Sequence, residues 1–208
     1  LLKITGVYFA ARIVLDIYEF VPGSTMSTAA MVLGAVTIVF AGAMALVQTN
    51  MKRLLSYAAV CQLGYIVLGI GTGIPAGILG GIYHLINYVL FITGLFIIAG
   101  IVEEQTGTSD LRQLGGLRKN MPVTFACFVV LSLSASAVPG LNGFFSQNLI
   151  YAAVSEFNII FYICGILGTF LTALTFLNMG RSLFCKEQKL PAGMAEIAGA
   201  KAGMLAPA

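Results

Sequence analysis

The chain of 208 residues is 59% hydrophobic and 9% charged, with a formal net charge of +3. Soluble domains carry roughly 25% charged residues, so the composition excludes an ordinary soluble protein. So small a charge, spread over the chain, excludes a nucleic-acid binder.

The first apolar segment covers residues 1–18 and holds Lys3 and Arg12. A lysine at membrane depth needs an aqueous cavity or a carboxylate partner, and there it can exchange a proton. At the interface it would only snorkel to water, and the sequence leaves both readings open. A turn-forming run, Phe20-Val21-Pro22-Gly23-Ser24, leads to a helix predicted over 28–47 with no charge at all. The polar connection 48–53 precedes a third segment, 54–72. A tight turn then opens a long charge-free stretch, 75–102, of ~42 Å as a helix.

His84, the only histidine, lies inside that stretch. An ionisable side chain at membrane depth is costly and marks a candidate functional site. Steps of four residues put His84, Tyr88 and Ile92 on one helical face, with Asn87 beside them. A neutral imidazole accepts a proton on one nitrogen and releases one from the other, which suits a relay. A histidine bonded permanently to a neighbouring helix is the equal alternative, since Tyr88 extends a polar stripe that Ile92 ends. Gly77 and Gly81 form a GxxxG pair, read as close helix packing.

Residues 103–120 are the longest polar loop. The apolar run 121–155 is interrupted at Val138-Pro139-Gly140-Leu141-Asn142, where backbone groups lose their helical partners inside the membrane. Such breaks are tolerated where they pack on protein or line a cavity, and transporters place ion sites there. A last helix is expected over 158–184.

The basic residues Lys52, Arg53, Arg112, Arg118, Lys119, Lys186, Lys189 and Lys201 fall in alternate connections, while the other connections hold none. The positive-inside rule puts the basic loops and the carboxyl tail in the cytoplasm of a multi-pass plasma-membrane protein, with Arg12 the exception. The alternation holds only if 121–155 crosses once, as a broken helix. Four cysteines, Cys61, Cys127, Cys164 and Cys185, stand singly and read as buried small apolar side chains; no metal site or iron–sulfur cluster is expected. No dinucleotide fingerprint, P-loop or nucleophile elbow occurs, so no redox cofactor is expected either. The chain opens without Met inside an apolar segment and stops in an Ala/Gly-rich run, as a piece of a longer protein would.

Five motifs in order resemble one family. Gln48-Thr49-Asn50-Met51-Lys52-Arg53-Leu54-Leu55-Ser56-Tyr57, continuing to Gln62-Leu63-Gly64-Tyr65, is similar to the QTDxKRxxAYSSxxxxGY signature of antiporter-like membrane subunits. These occur in NADH:quinone oxidoreductase (complex I), membrane-bound hydrogenases and multisubunit sodium/proton antiporters. Leu2-Lys3-Ile4-Thr5-Gly6-Val7-Tyr8 with Arg12 resembles LxKxGxYxxxR, and His84-Leu85-Ile86-Asn87 resembles HLxNH. Asp110-Leu111-Arg112, Gly115-Gly116-Leu117 and Pro122 resemble DxRxLGGLxxxxP. Pro139-Gly140-Leu141-Asn142-Gly143-Phe144-Phe145-Ser146 resembles the GxPPLxGFFSK broken helix.

The resemblance implies an all-α polytopic bundle of two inverted repeats, each with a discontinuous helix. This chain would hold the second repeat as a partial domain over 1–185, with 186–208 as a cytoplasmic tail or a connection to a further helix. It implies proton translocation coupled to electron transfer elsewhere, with Lys3 as a buried path lysine and His84 as a relay. Other membrane subunits, the lipid bilayer, and protons or sodium ions would be its partners. The sequence also departs from the family. The relay helix usually reads HxxxHxxxK, and Tyr88 and Ile92 stand at the second and third positions. Gln147 replaces the lysine or glutamate after the Phe-Phe-Ser segment. A phenol with a pKa near ~10 exchanges protons poorly at neutral pH, and Ile92 and Gln147 offer no proton site. A weakened outward half-channel, partly scaffold in role, is therefore expected. The alternatives are a sodium/proton antiporter subunit without a redox partner, and a non-translocating scaffold.

Overall fold

In a bilayer a helix closes its own backbone hydrogen bonds, which is why each apolar run folds as one. A computed structural model of the protein describes Gly6 and residues 22–185; the expected first helix with Lys3 and Arg12, and the tail 186–208, lie outside the described residues. Six α-helices follow in order among the described residues: α1 Thr25–Leu46, α2 Met51–Gly71, α3 Pro75–Thr106, α4 Pro122–Ala135, α5 Asn142–Ser155 and α6 Ile159–Gly180. A π-helical turn, Arg181–Cys185, extends α6. Thr25–Leu46, Met51–Gly71, Pro75–Thr106 and Ile159–Cys185 are each long and apolar enough to cross a membrane. The chain is an all-α, integral membrane protein.

The helix starts follow local chemistry. Ser24, Asn50 and Asn158 accept backbone N–H groups of the first turns of α1, α2 and α6, and Pro75 and Pro122 occupy first-turn positions where no N–H is needed. Helix α3 runs to Thr106 and ends on Gly107, whose φ of 70° is left-handed. The polar loop therefore begins at Gly107, not at residue 103. Glu103 extends the helix beyond the apolar span and pairs with Lys52 of α2.

At this end the loop is stitched to the α1–α2 turn. Met51 N donates to Ser109 O (2.9 Å), Leu111 N to Thr49 O (2.9 Å) and Asn50 Nδ2 to Ser109 Oγ (2.7 Å). Leu117 N donates to Leu183 O (3.1 Å), tying in the end of α6. Residues of two of the family-like motifs, among them Asn50, Met51, Leu111 and Leu117, thus hold one face of the bundle together. Lys52, Arg53, Arg112, Arg118, Lys119 and Arg181 all sit at this end, as the single crossing of α4 plus α5 requires.

Lipid is as apolar as leucine, so helices associate by close packing of small residues. A Cβ added at Gly64 would lie 3.0 Å from both the Gly34 carbonyl oxygen and the Ile38 nitrogen of α1. On α3, a Cβ at Gly77 would stand 3.0 Å from the Ala153 methyl and one at Gly80 3.0 Å from the Ile150 nitrogen. The Gly77/Gly81 pair is packing, as read, and Gly80 joins it. Large apolar side chains such as Leu33, Phe40, Ile159 and Leu177 project outward, over 60% exposed, where acyl chains would lie. Of the cysteines only Cys61 is buried; Cys127 and Cys164 are half-buried and Cys185 is exposed. The expectation of four buried thiols fails because three of them face away from the packed seams.

Gly64→Ala should destabilise the assembled protein by about 1–3 kcal/mol, the usual cost of overpacking. Gly100→Ala, with nothing within 4 Å of the new methyl, should not. Thermal unfolding of the intact assembly checks this, and equal melting temperatures for the two variants would refute it.

Candidate functional site: a buried histidine against a helix break

Helices α4 and α5 are the two halves of one crossing. Between them Ala137 and Gly140 take left-handed φ values of 52° and 95°, so the chain turns and the Ala135 carbonyl at the end of α4 is left without a helical donor. Side chains of two neighbouring helices tie down the two half-helices. Gln62 Nε2 of α2 donates to Ala135 O (3.2 Å), the last residue of α4. Asn87 Nδ2 of α3 donates to Asn142 O (3.0 Å), the first residue of α5. Close approach is allowed by Gly143, whose Cβ would collide with the Ser134 carbonyl.

His84 stands between these two ties, with no exposed surface. Its Nε2 is 2.9 Å from Gln62 Oε1 and its Nδ1 2.9 Å from Ser146 Oγ. With the Gln62 amide group donating to Ala135, the oxygen faces the imidazole, so Nε2 carries the hydrogen and Nδ1 of the neutral ring accepts from Ser146. Asn87 Nδ2 donates to the same Ser146 Oγ (3.2 Å), and Gly143 O lies 3.1 Å from that oxygen. An imidazolium would donate at Nδ1 to Ser146, whose own hydrogen would then turn to Gly143 O. Both protonation states of His84 therefore find complete partners without any heavy atom moving.

A second polar cluster adjoins the first. Tyr65 OH donates to Gly165 O (2.6 Å), and Thr169 Oγ1 donates to Gln147 Oε1 (2.9 Å). Tyr151 OH bonds to Thr169 and lies 3.1 Å from Gln147 Oε1. The Tyr65 ring separates the clusters, its centroid 5.8 Å from that of His84 and 6.3 Å from that of Tyr151. Gln147 is buried, and its Nε2 has no partner among the described residues.

The remaining sequence candidates scatter around this centre. Tyr88 is buried, its ring edge-on to Phe91, with no hydrogen bond among the described residues. Ile92 packs in the apolar core. Pro139 and Gly140 are exposed at the break and touch neither cluster; they shape the turn. Lys3 lies outside the described residues. Helices α3 and α5 pair antiparallel, with Asn87 beside Asn142, His84 beside Ser146 and Gly80 beside Ile150. Ile92 thus lies ~12 Å from His84 toward the basic end, and Gln147, one residue beyond Ser146, lies at nearly the depth of His84. Gln62, Ser146 and Thr169 were missed as site residues. The three-residue spacing of Gln62 and Tyr65 puts both on one helical face and was the available signal.

The profile of the family described as "NADH:quinone oxidoreductase/Mrp antiporter, TM" matches residues 1–175. The chain belongs to this family. Among antiporter-family relatives, NAD(P)H-quinone oxidoreductase chain 4 of the Adiantum capillus-veneris chloroplast is 36% identical over 195 residues, covering 88% of this chain and 38% of the relative. F(420)H(2) dehydrogenase subunit L of Methanosarcina mazei is 37% identical over 183 residues, covering 81% and 27%. A chain of respiratory complex I from Thermus thermophilus superposes with a TM-score of 0.87 at 27% identity, over 96% of this chain and 42% of that one. This chain spans about a third of the length of these curated relatives. The antiporter-like fold and the resemblance read from the five motifs are borne out.

Gln62→Leu should remove both the acceptor for His84 Nε2 and the donor to Ala135 O. Leaving buried polar groups unmatched costs about 1–3 kcal/mol, so the melting temperature of the intact assembly should fall. An unchanged value would mean that the break is satisfied without α2.

Proposed function

We propose that the chain is the second half of a proton-translocating antiporter-like subunit in a complex-I-type NADH:quinone oxidoreductase or an energy-converting hydrogenase. Residues 1–185 form its partial translocating domain and 186–208 a cytoplasmic tail or connection. Electron transfer in other subunits drives protons through it, and those membrane subunits and the bilayer are its partners. The observation that carries this reading is His84, fully buried yet hydrogen-bonded at both ring nitrogens, to α2 and to the second half of the broken helix. A structural histidine needs only one fixed partner set, whereas Ser146 serves either charge state.

Lys3 exchanges protons with His84 in this scheme, and Tyr88 carries the water-bonded stripe one turn toward the basic end. That end faces the cytoplasm of the plasma membrane, as the six clustered Lys and Arg side chains favour. Ile92 and Gln147 remove two carriers and weaken the outward half-channel, so water must bridge the gaps. The scaffold reading draws on the same two side chains.

In inverted vesicles holding the full-length complex, His84→Ala and Lys3→Ala should each cut proton uptake at least fivefold, with electron transfer intact or slowed in step. Uptake that persists unchanged makes the subunit a scaffold. Introducing Lys at positions 92 and 147 together should raise the protons moved per electron; an unchanged ratio would count against a missing carrier.

A further inference from the structure

A groove of about 360 Å³ lies between α4 and α6, away from the histidine. Phe125, Phe128, Phe176 and Leu177 line it, and Leu177 leaves it open to the acyl-chain region, being 62% exposed. Its mouth is at the basic end. Arg181 lines the mouth, and the Arg118 guanidinium stacks over the Phe125 ring, 5.1 Å from its centroid. Within the groove the Ser132 hydroxyl is buried and has no hydrogen-bond partner among the described residues. That is costly for a hydroxyl in an apolar setting, and the hydroxyl is idle although Thr172, Thr175 and Ser136 all bond back to their own helices.

We infer that this groove is a binding site for one anionic glycerophospholipid, its phosphate between Arg118 and Arg181 and one chain along the phenylalanines. Guanidinium groups match phosphate oxygens in geometry as well as charge, and basic pockets at the inner ends of membrane helices select anionic headgroups. The depth of Ser132 fits the same molecule. Phe128 abuts Gly180, the neighbour of Arg181, and Ser132 lies one turn, ~6 Å, deeper. A glycerophospholipid carries the oxygens of its chain linkage a few bonds below the phosphate, where the Ser132 hydroxyl can donate to one. The site does not depend on proton conduction through His84.

The test uses the full-length complex in vesicles doped with photoactivatable phosphatidylglycerol or with phosphatidylcholine bearing the same chains. Cross-linked peptides are mapped by mass spectrometry. The anionic lipid should label the α4 and α6 peptides at least fivefold more than the zwitterionic one. Arg118→Gln with Arg181→Gln should bring its labelling down to the phosphatidylcholine level, and Ser132→Ala should lower it two- to threefold with both charges kept. Equal labelling of the wild type by the two lipids would overturn the inference. So would labelling indifferent to the arginine pair, or none in the groove because a protein segment fills it. The wild-type comparison and Ser132→Ala stand even if the double variant fails to assemble.

Discussion

A helix cannot be interrupted inside a bilayer unless something else meets the backbone groups it releases. Much of this bundle is arranged around that requirement. The break between α4 and α5 frees the Ala135 carbonyl at the end of α4, to which Gln62 donates from α2, while Asn87 of α3 ties down the start of α5 through the Asn142 carbonyl. Gly77, Gly80 and Gly81 let α3 approach α2 and α5, and Gly143 lets α5 approach α4, more closely than a side chain at those positions would permit. Small residues, amide side chains and the broken helix are parts of a single solution. His84 occupies the space between the two amides, so its position follows from the repair of the backbone.

This arrangement bears on the two polar clusters differently. The histidine cluster joins three elements and has a hydroxyl with alternative acceptors. The tyrosine cluster converges on one amide oxygen, that of Gln147, which Thr169 and Tyr151 both approach. A lysine there would compete with neither hydroxyl as an acceptor and would bring a charge into a site that now has none. The Gln147 amide fixes helix α6 against α5 through the Thr169 and Tyr151 hydroxyls.

The helices were legible because apolar length is an unambiguous signal in membrane chains, and the single crossing of 121–155 followed from charge alternation alone. Polarity alone puts Glu103 in the loop, because polarity marks the bilayer boundary; a helix held by the Lys52 pair and the left-handed Gly107 continues past it. His84 and the break could be found as anomalies in apolar runs. Gln62 was signalled only by its spacing from Tyr65, and Ser146 and Thr169 not at all, because a buried amide or hydroxyl looks ordinary until the opposite helix is in place. The orders of Ile92 and Gln147 along the membrane normal were hidden for a related reason. Sequence gives positions along each helix, and only the antiparallel register of α3 and α5 converts them to a common depth.

Ser146 carries one hydrogen and faces two acceptors, His84 Nδ1 and Gly143 O. Charging the imidazole changes which of them is served by rotation about one C–O bond. One set of heavy-atom positions at this site can satisfy both states, and diffraction at ordinary resolution does not show hydrogens. Structures trapped before and after proton arrival would superpose here. The difference would be visible to vibrational spectroscopy of the imidazole and of the Gly143 carbonyl, where a proton's presence is written in bond frequencies and not in positions.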